Sequence, residues 1–185
     1  AAVQMDAILE LKKMGFETQY SPVAMDRSLV GFFIPKDVQE LKVQRENEGY
    51  TFTKAEDADL YELIQFANLS FNPDWGRAIR EGVLAGLPME WIFVARHHRK
   101  LVGFCMHGGY EGIPERFGPF GVDPEQRGKG LGKILLNLCL ATMRAEGLHG
   151  AWFLWTGETS PAGHLYTKTG FKITRQFHVM RKSLD

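Results

Sequence analysis

One glycine-rich segment, residues 120–133, constrains the fold of this chain more than any other part. It contains Gly128, Gly130 and Gly132 at alternate positions, and a strongly apolar helical pattern follows it directly. The first N–H groups of a helix have no partner and carry the positive end of the helix dipole, so they attract anions. Glycines without a Cβ let an anion approach the backbone closely. The segment therefore predicts a phosphate-binding loop.

Two familiar kinds of phosphate loop do not fit the spacing. A nucleotide P-loop needs a glycine five residues before a Gly-Lys pair and a Ser or Thr after it. With Gly132-Lys133 as the pair, these positions hold Arg127 and Ile134. A dinucleotide fingerprint that starts at Gly128 needs a sixth-position glycine, and Lys133 stands there.

The pattern that fits is Arg/Gln-x-x-Gly-x-Gly, met by Arg127, Gly130 and Gly132 after Val122 and Pro124. In these residues the chain resembles the GNAT superfamily of N-acetyltransferases, in which this loop holds the pyrophosphate of acetyl-CoA. An ordinary glycine-rich helix start is the competing interpretation. The acetyl-CoA site that the resemblance implies consists of Phe120, Gly121, Val122, Arg127, Gly128, Lys129, Gly130, Leu131, Gly132 and Lys133. The same resemblance implies that the acetyl oxygen meets the N–H of Val122.

A second motif lies in residues 159–171, where Ala162, Tyr166 and Gly170-Phe171 fall at the family spacing. The resemblance implies that Tyr166 is the general acid for the CoA thiolate. A tyrosine ordinarily has a pKa near 10 against roughly 8.5 for a thiol, so it can donate a proton. A buried aromatic on a helix face is the alternative. Thr159 stands where the family often has an Asn that binds the pantetheine arm, and Thr can still form one hydrogen bond.

The general base and the acceptor residues are less defined. Glu115 is our candidate base, with Glu111 and His107 as alternatives, and each competes with an ordinary solvated loop role. In the family the acceptor lies under the first two helices, whose connecting loop holds Asp74 and Trp75. The indole could stack on a ring while the carboxylate holds an amine. Alternatively, Trp75 caps the core.

From Tyr50 onward the patterns predict a strand, two helices, three strands, a helix, a strand, a helix and two strands. This order is the GNAT arrangement. The resulting fold class is α/β (an α+β mixed sheet), with a central, mixed but mostly antiparallel sheet flanked by helices. Residues 50–185 form the predicted acetyltransferase domain. The strand at 151–155 is nearly all apolar, which is typical of a strand covered on both faces.

The region before Tyr50 contains a partial internal repeat. Residues 11–29 align without gaps on residues 166–184 at an offset of 155, and six of the nineteen positions are identical. The identical residues of the first copy are Lys13, Gly15, Phe16, Met25, Ser28 and Leu29. We interpret residues 1–30 as a strand pair from the tail of a preceding GNAT-like domain, and residues 31–49 as a linker with a polar helix. A coincidental strand pair is the alternative.

Such strands need a sheet edge to pair with. They are expected to pair with this domain or, through strand exchange in a homodimer, with another chain.

Composition limits the class of protein. The 185 residues have 44% hydrophobic and 24% charged content and a formal net charge of zero, so we expect no nucleic acid as partner. No apolar run approaches the roughly 20 residues of a membrane span, and no signal peptide is recognised. Cys105 and Cys139 lie in apolar runs and are predicted to be buried thiols, which favours a reducing cytoplasm. No spacing suggests a metal site.

The predicted activity is transfer of an acetyl group from acetyl-CoA to a primary amine of a small molecule. Two alternatives stay open: a non-catalytic module that binds acyl-CoA, and an acetyltransferase that acts on a protein N-terminus or lysine.

Overall fold

The computed structural model describes residues 2–155 and 161–183, and their side chains from residue 5 and, after the gap, from residue 163. The chain divides into two compact units. The first comprises residues 1–26 and 153–185, and the second comprises residues 27–152.

The second unit is built on a four-stranded antiparallel sheet of order β3-β4-β5-β6. The strands are β3 (Tyr50–Lys54), β4 (Ile92–His97), β5 (Lys100–His107) and β6 (Phe117–Val122). The central strand β5 is buried along its length after Lys100, because helices cover both faces of the sheet. The outer strand β6 leads directly into the glycine-rich segment.

Four helices belong to this unit: α2 (Lys36–Asn47), α3 (Leu60–Ser70), α4 (Pro73–Leu84) and α5 (Leu131–Ala145). The amide of Trp75 donates to the side chain of Asn72 at 3.1 Å, and Pro73 stands at the first helical position, so the start of α4 is fixed locally. Helices α3 and α4 pack on one face of the sheet, around a cluster of buried residues. That cluster consists of Ala55, Leu63, Ala67, Ile79, Ile92, Val94, Leu101, Phe104 and Met106.

Helix α5 packs against β4 and β5 through a mostly apolar side, which also buries Asn137 and Thr142. Its side chain Leu135 approaches to within 3.1 Å of the place where a Cβ on Gly103 would lie. The close approach of helix and strand therefore depends on a glycine in β5. This packing fixes the direction in which the start of α5 points.

The first unit contains α1 (Ala2–Lys13), β1 (Glu17–Tyr20), α6 (Pro161–Lys168), β8 (Lys172–Gln176) and β9 (Val179–Arg181). Two further strands, β2 (Val23–Ser28) and β7 (Gly150–Trp155), contribute to it. Strand β1 pairs with β9, and β2 pairs with β8, both antiparallel. A three-stranded sheet has the order β7-β2-β8. The predicted early strands thus pair within this chain.

The element order predicted from Tyr50 onward is confirmed, as is the mixed α/β class with antiparallel sheets flanked by helices, although the described strands form three sheets and not one. The expectation that β7 is covered on both faces is wrong. Ala151 and Phe153 are buried, whereas Leu154 is 48% exposed, so only one face of this strand is packed. An apolar run cannot by itself distinguish a strand covered on both faces from one covered on a single face.

Residues 1–49 differ in detail from the predicted layout. A helix, α1, precedes the strand pair. The predicted polar helix is present as α2, and it packs on α5 and β3 with Val38 only 1% exposed. Helix α2 therefore belongs to the compact second unit.

Candidate active site

The glycine-rich segment has the backbone geometry of an anion site. Gly128 and Gly130 have φ values of 80° and 78°, a left-handed conformation that other residues adopt only with strain. Gly130 is the N-cap of α5, and no side chain in the described part of the chain caps the start of this helix. Within the described residues, the N–H groups of Leu131, Gly132 and Lys133 have no hydrogen-bond acceptor. This set of free donors fits a pyrophosphate group.

The basic side chains of this segment are in different environments. Lys129 Nζ donates to the side-chain oxygen of Gln126 at 2.8 Å and to the hydroxyl of Tyr50 at 3.0 Å. Lys133 Nζ pairs with the carboxylate of Asp37 in α2. The side chain of Arg127 is exposed. Arg127 is thus the basic residue of the segment that is most accessible to a phosphate group.

The edge of β6 offers backbone donors next to this segment. The N–H of Asp123 points toward β5, where it donates to the carbonyl of Val102 at 2.8 Å. Successive N–H groups of a strand point in opposite directions, so the N–H groups of Val122 and Phe120 point to the open side of the sheet. The resemblance implies the same orientation for the Val122 donor.

The segment that leads into β6 touches β7 through a parallel bridge between Arg116 and Trp152. The N–H of Trp152 donates to the carbonyl of Glu115 at 3.0 Å. The bridge lies before the start of β6. In the four-stranded sheet, β6 is the edge strand.

The predicted acceptor residues Asp74 and Trp75 lie in the first turn of α4. The indole of Trp75 stacks on Phe71, with ring centroids 4.7 Å apart, and packs against the core cluster. Asp74 forms an ion pair with Arg77. The ring of Phe71 lies over Gly121, since a Cβ there would be 2.4 Å from the ring. These contacts bring the start of α4 to the middle of β6.

Aromatic and charged side chains that the sequence did not indicate cluster around Arg116, and one of them, Tyr110, lies near Asp74. The guanidinium of Arg116 lies over the ring of Tyr110 at 4.6 Å and over that of Trp152 at 5.4 Å. It also donates to Glu111 at 3.0 Å. Burial raises the pKa of the Tyr110 hydroxyl, and the nearby carboxylate of Asp74 raises it further. Tyr110, Glu111 and Arg116 belong to the loop between β5 and β6, whereas Trp152 lies in β7 and Asp74 in α4, so their proximity left no spacing signal in the sequence.

The candidate bases differ in accessibility. His107 is fully buried and stacks on Trp91, with ring centroids 4.4 Å apart. Its Nδ1 lies 2.9 Å from the carbonyl of Pro114, which can only accept, so Nδ1 carries the proton. Burial lowers the pKa of His107, against opposing effects of the Pro114 bond and nearby carboxylates. Glu115 is only partly buried, and Glu111 is exposed. An acceptor can contact either glutamate directly, but it cannot contact His107.

Tyr166 lies in the first unit, on α6, and is 7% exposed. Its ring packs against Phe153 at 4.4 Å, Trp155 at 5.6 Å and Phe171 at 6.0 Å between ring centroids. The side chain is therefore held by aromatic packing on several sides. The predicted pantetheine ligand Thr159 lies outside the described residues.

In residues 2–155 and 161–183, no group of three or more His, Cys, Asp or Glu side chains is arranged to hold a metal ion. Among the helices of those same residues, none is long and apolar enough to cross a lipid bilayer.

Residues 88–173 match the family model of the acetyltransferase (GNAT) domain. Over 134 residues the chain is 28% identical to a mycothiol acetyltransferase of Amycolatopsis mediterranei. The alignment covers 65% of this chain and 44% of that protein. The chain thus spans less than half the length of this relative.

Solved structures share the fold. One is a GCN5-related glucosamine N-acetyltransferase region of a fungal multi-domain GH3 β-N-acetylglucosaminidase, with a TM-score of 0.79 and 17% identity over 97% of this chain and 23% of that chain. Another is a GNAT family acetyltransferase from Brucella melitensis in complex with acetyl-CoA, with a TM-score of 0.53 and 23% identity over 68% of this chain and 84% of that chain. Residues 88–173 thus match a GNAT acetyltransferase domain, and the chain has the fold of these solved GNAT structures.

Proposed function

We propose that this chain is an acetyl-CoA-dependent N-acetyltransferase that acetylates a primary amine of a small molecule by direct attack. The observation that carries the proposal is the left-handed pair Gly128 and Gly130 before the uncapped start of α5. It lies inside the region that matches the family model. The neighbour from Brucella melitensis, described in complex with acetyl-CoA, supports the same donor for this chain.

In this proposal acetyl-CoA supplies an acetyl group activated as a thioester. The free N–H groups at the start of α5 bind the pyrophosphate, and the exposed Arg127 adds a positive charge. The N–H of Val122, at the open edge of β6, donates to the acetyl oxygen. A donor fixed in a strand needs little reorganisation when charge develops on that oxygen.

Tyr166 is the proposed general acid. It occupies the tyrosine position of the second family motif, and its aromatic neighbours restrict the ring. A positioned acid that gives its proton to the leaving sulfur speeds the reaction by about 10²–10⁴-fold. We propose that Thr159 forms one hydrogen bond with the pantetheine arm.

For the acceptor side, we propose Glu115 as the base, because it is accessible and His107 is not. Asp74 and Trp75 stay the proposed acceptor residues, and Tyr110 lies close enough to Asp74 for its hydroxyl to respond to that charge. Two relatives are named for mycothiol and for glucosamine, which supports a small-molecule acceptor.

A panel of acceptors tests this function. Small primary amines, peptides with free N-termini and peptides with lysines are incubated with acetyl-CoA, and acetylated products are identified by mass spectrometry. Calorimetry measures CoA binding on the same protein. We expect products from the small amines. Products from peptides alone would replace the small-molecule acceptor, and tight CoA binding without any product would favour a binding module.

We also propose that residues 1–30 are the tail of a preceding domain with the same ending. The strand register supports this, because it has an approximate twofold symmetry. Glu17 lies opposite Arg181, and at the offset of 155 residues this pair becomes Lys172 opposite Asp26, which is also observed. The same relation connects the pair Thr18–Met180 with the pair Ile173–Met25. The strand pair β1 and β2 of the first copy therefore pairs with the strand pair β8 and β9 of the second copy.

The chain that precedes residue 1 in the intact protein tests this origin. We expect it to show the same order of strands and helices ahead of α1. An unrelated fold there, or no further chain, would contradict the duplication. In that case residues 31–49, which contain α2, would not link two domains but would be part of this domain alone.

A further inference from the structure

We propose that Arg45 of helix α2 is a positioning residue for coenzyme A, because it fixes the peptide that directs the N–H of Gly130 toward the pyrophosphate. The inference rests on the proposed function and adds a residue outside the region that matches the family model. Arg45 precedes that region by more than forty residues (88 − 45).

The contact is a hydrogen bond between a side chain and the loop backbone. Arg45 Nε donates to the carbonyl oxygen of Lys129 at 2.8 Å. That carbonyl and the N–H of Gly130 belong to one peptide unit, which is planar and trans. In a trans peptide the two groups point in opposite directions. A carbonyl held toward α2 therefore directs the Gly130 N–H away from α2.

A second contact holds the same peptide from the side of α2. The side chain of Leu41, one helical turn before Arg45, lies 2.6 Å from the place where a Cβ on Gly130 would be. A Cβ at Gly130 would therefore require the Leu41 side chain to shift. Since Gly130 also has a φ of 78°, the peptide is constrained by both its conformation and its packing.

The guanidinium of Arg45 is itself held in place. Its NH1 forms an ion pair with Glu48 in the next turn, and the Arg45 side chain is 18% exposed. The bond to Lys129 uses Nε instead, so the two interactions can be removed separately. A hydrogen bond from a charged donor contributes enough to change an affinity by about tenfold or more.

The test compares three substitutions in α2. Arg45→Met removes the donor at similar length. Lys42→Met removes one positive charge from the same helix, where Lys42 pairs with Glu46. Glu48→Gln weakens the ion pair and leaves the Nε bond to Lys129. The readouts are the Kd of CoA by calorimetry and the KM and kcat for two donors, acetyl-CoA and S-acetylpantetheine, which lacks the pyrophosphate.

We expect Arg45→Met to raise the Kd of CoA and the KM for acetyl-CoA about tenfold, with kcat and the S-acetylpantetheine KM unchanged. In Lys42→Met and Glu48→Gln, the Kd of CoA and the KM for acetyl-CoA should stay within about twofold of the wild-type values. An equal rise in Lys42→Met would assign the effect to net charge and overturn the proposal. If Arg45→Met raised the KM equally for acetyl-CoA and for S-acetylpantetheine, the effect would come from general destabilisation, and the proposal would again be overturned.

CoA binding by the wild type distinguishes a failure of the proposed function from a failure of the role of Arg45. If the wild type does not bind CoA, both the proposed function and the role of Arg45 are wrong. If the wild type binds CoA and Arg45→Met binds it equally well, only the role of Arg45 is wrong.

Discussion

Lys133 and Asp37 form an ion pair between the first turn of α5 and the first turn of α2. Their side chains are 41% and 64% exposed. The hydrogen bond from Lys133 lowers the pKa of the Asp37 carboxyl, because it stabilises the ionised form. Asp37 thus holds the ammonium group that would otherwise be available to a phosphate of coenzyme A.

Replacement of Asp37 by Asn should therefore tighten coenzyme A binding. Without the carboxylate, Lys133 is free to approach a phosphate and one repelling charge is removed. We expect the Kd of CoA, measured by calorimetry, to fall about threefold at low salt and to return to the wild-type value at high salt.

Glu40→Gln is the matched control for Asp37→Asn, because Glu40 pairs with Lys36 in the same helix and the charge change is identical. Weaker binding in Asp37→Asn than in this control would mean that the pair organises the site.

The two left-handed glycines should differ in their tolerance of a side chain. Gly128→Ala is expected to reduce the free energy of unfolding by about 1–2 kcal/mol, the cost of a left-handed alanine. Among residues 2–155 and 161–183, no heavy atom other than those of its chain neighbours lies within 4 Å of a Cβ at this position. Gly130→Ala carries the same conformational cost and also meets Leu41, so we expect about 1 kcal/mol more. Urea unfolding of the two variants measures the difference.

A double-mutant cycle isolates the contact with Leu41. In a Leu41→Ala background, Gly130→Ala should cost no more than Gly128→Ala does in the wild type. If the excess cost of Gly130→Ala persists there, the contact with α2 is not its cause.

His107 should make the folded state less stable in acid. Burial lowers its pKa below the ordinary 6.5, so the unfolded chain binds a proton more readily than the folded chain. The contribution of His107 to the free energy of unfolding is constant above pH 6.5. As the pH falls below 6.5, this contribution makes the folded state less stable. We expect urea unfolding between pH 7.5 and 5.5 to show a smaller loss in His107→Gln than in the wild type.

His149→Gln controls for the substitution, since His149 is exposed. It should retain the full wild-type loss between pH 7.5 and 5.5. A wild-type slope that His107→Gln leaves unaltered would assign the acid sensitivity to other groups.

Tyr166→Phe should separate chemistry from binding. The phenyl ring keeps the packing on Phe153 and loses only the hydroxyl. We expect kcat for acetyl transfer to fall about 100-fold or more, with the Kd of CoA nearly unchanged. A kcat equal to that of the wild type would remove the tyrosine from the mechanism.

Local patterns predicted much of the fold and of the donor site. The glycines at 128, 130 and 132 predicted a loop that leads into a helix, and α5 begins there, because this signal is set by its own residues. The second motif likewise predicted a helix that carries Tyr166.

Contacts between distant segments left no such signal. Helix α2 is mostly polar, and only its packing reveals that Arg45 reaches the carbonyl of Lys129. The position of Arg116 between Tyr110 and Trp152 depends on strands that meet only in the folded chain. Burial of His107 could not be inferred either, because its sequence position at a strand end resembles that of an exposed residue.

The central claim is that an acetyl group moves from acetyl-CoA to an amine. The most direct measurement quantifies the CoA thiol and the acetylated amine in the same reaction, with acetyl-CoA saturating and amine concentration varied. We predict one thiol released per acetylated amine, at a rate that saturates with the amine. Thiol release without acetylated amine, or no release from protein that binds CoA, would contradict the account.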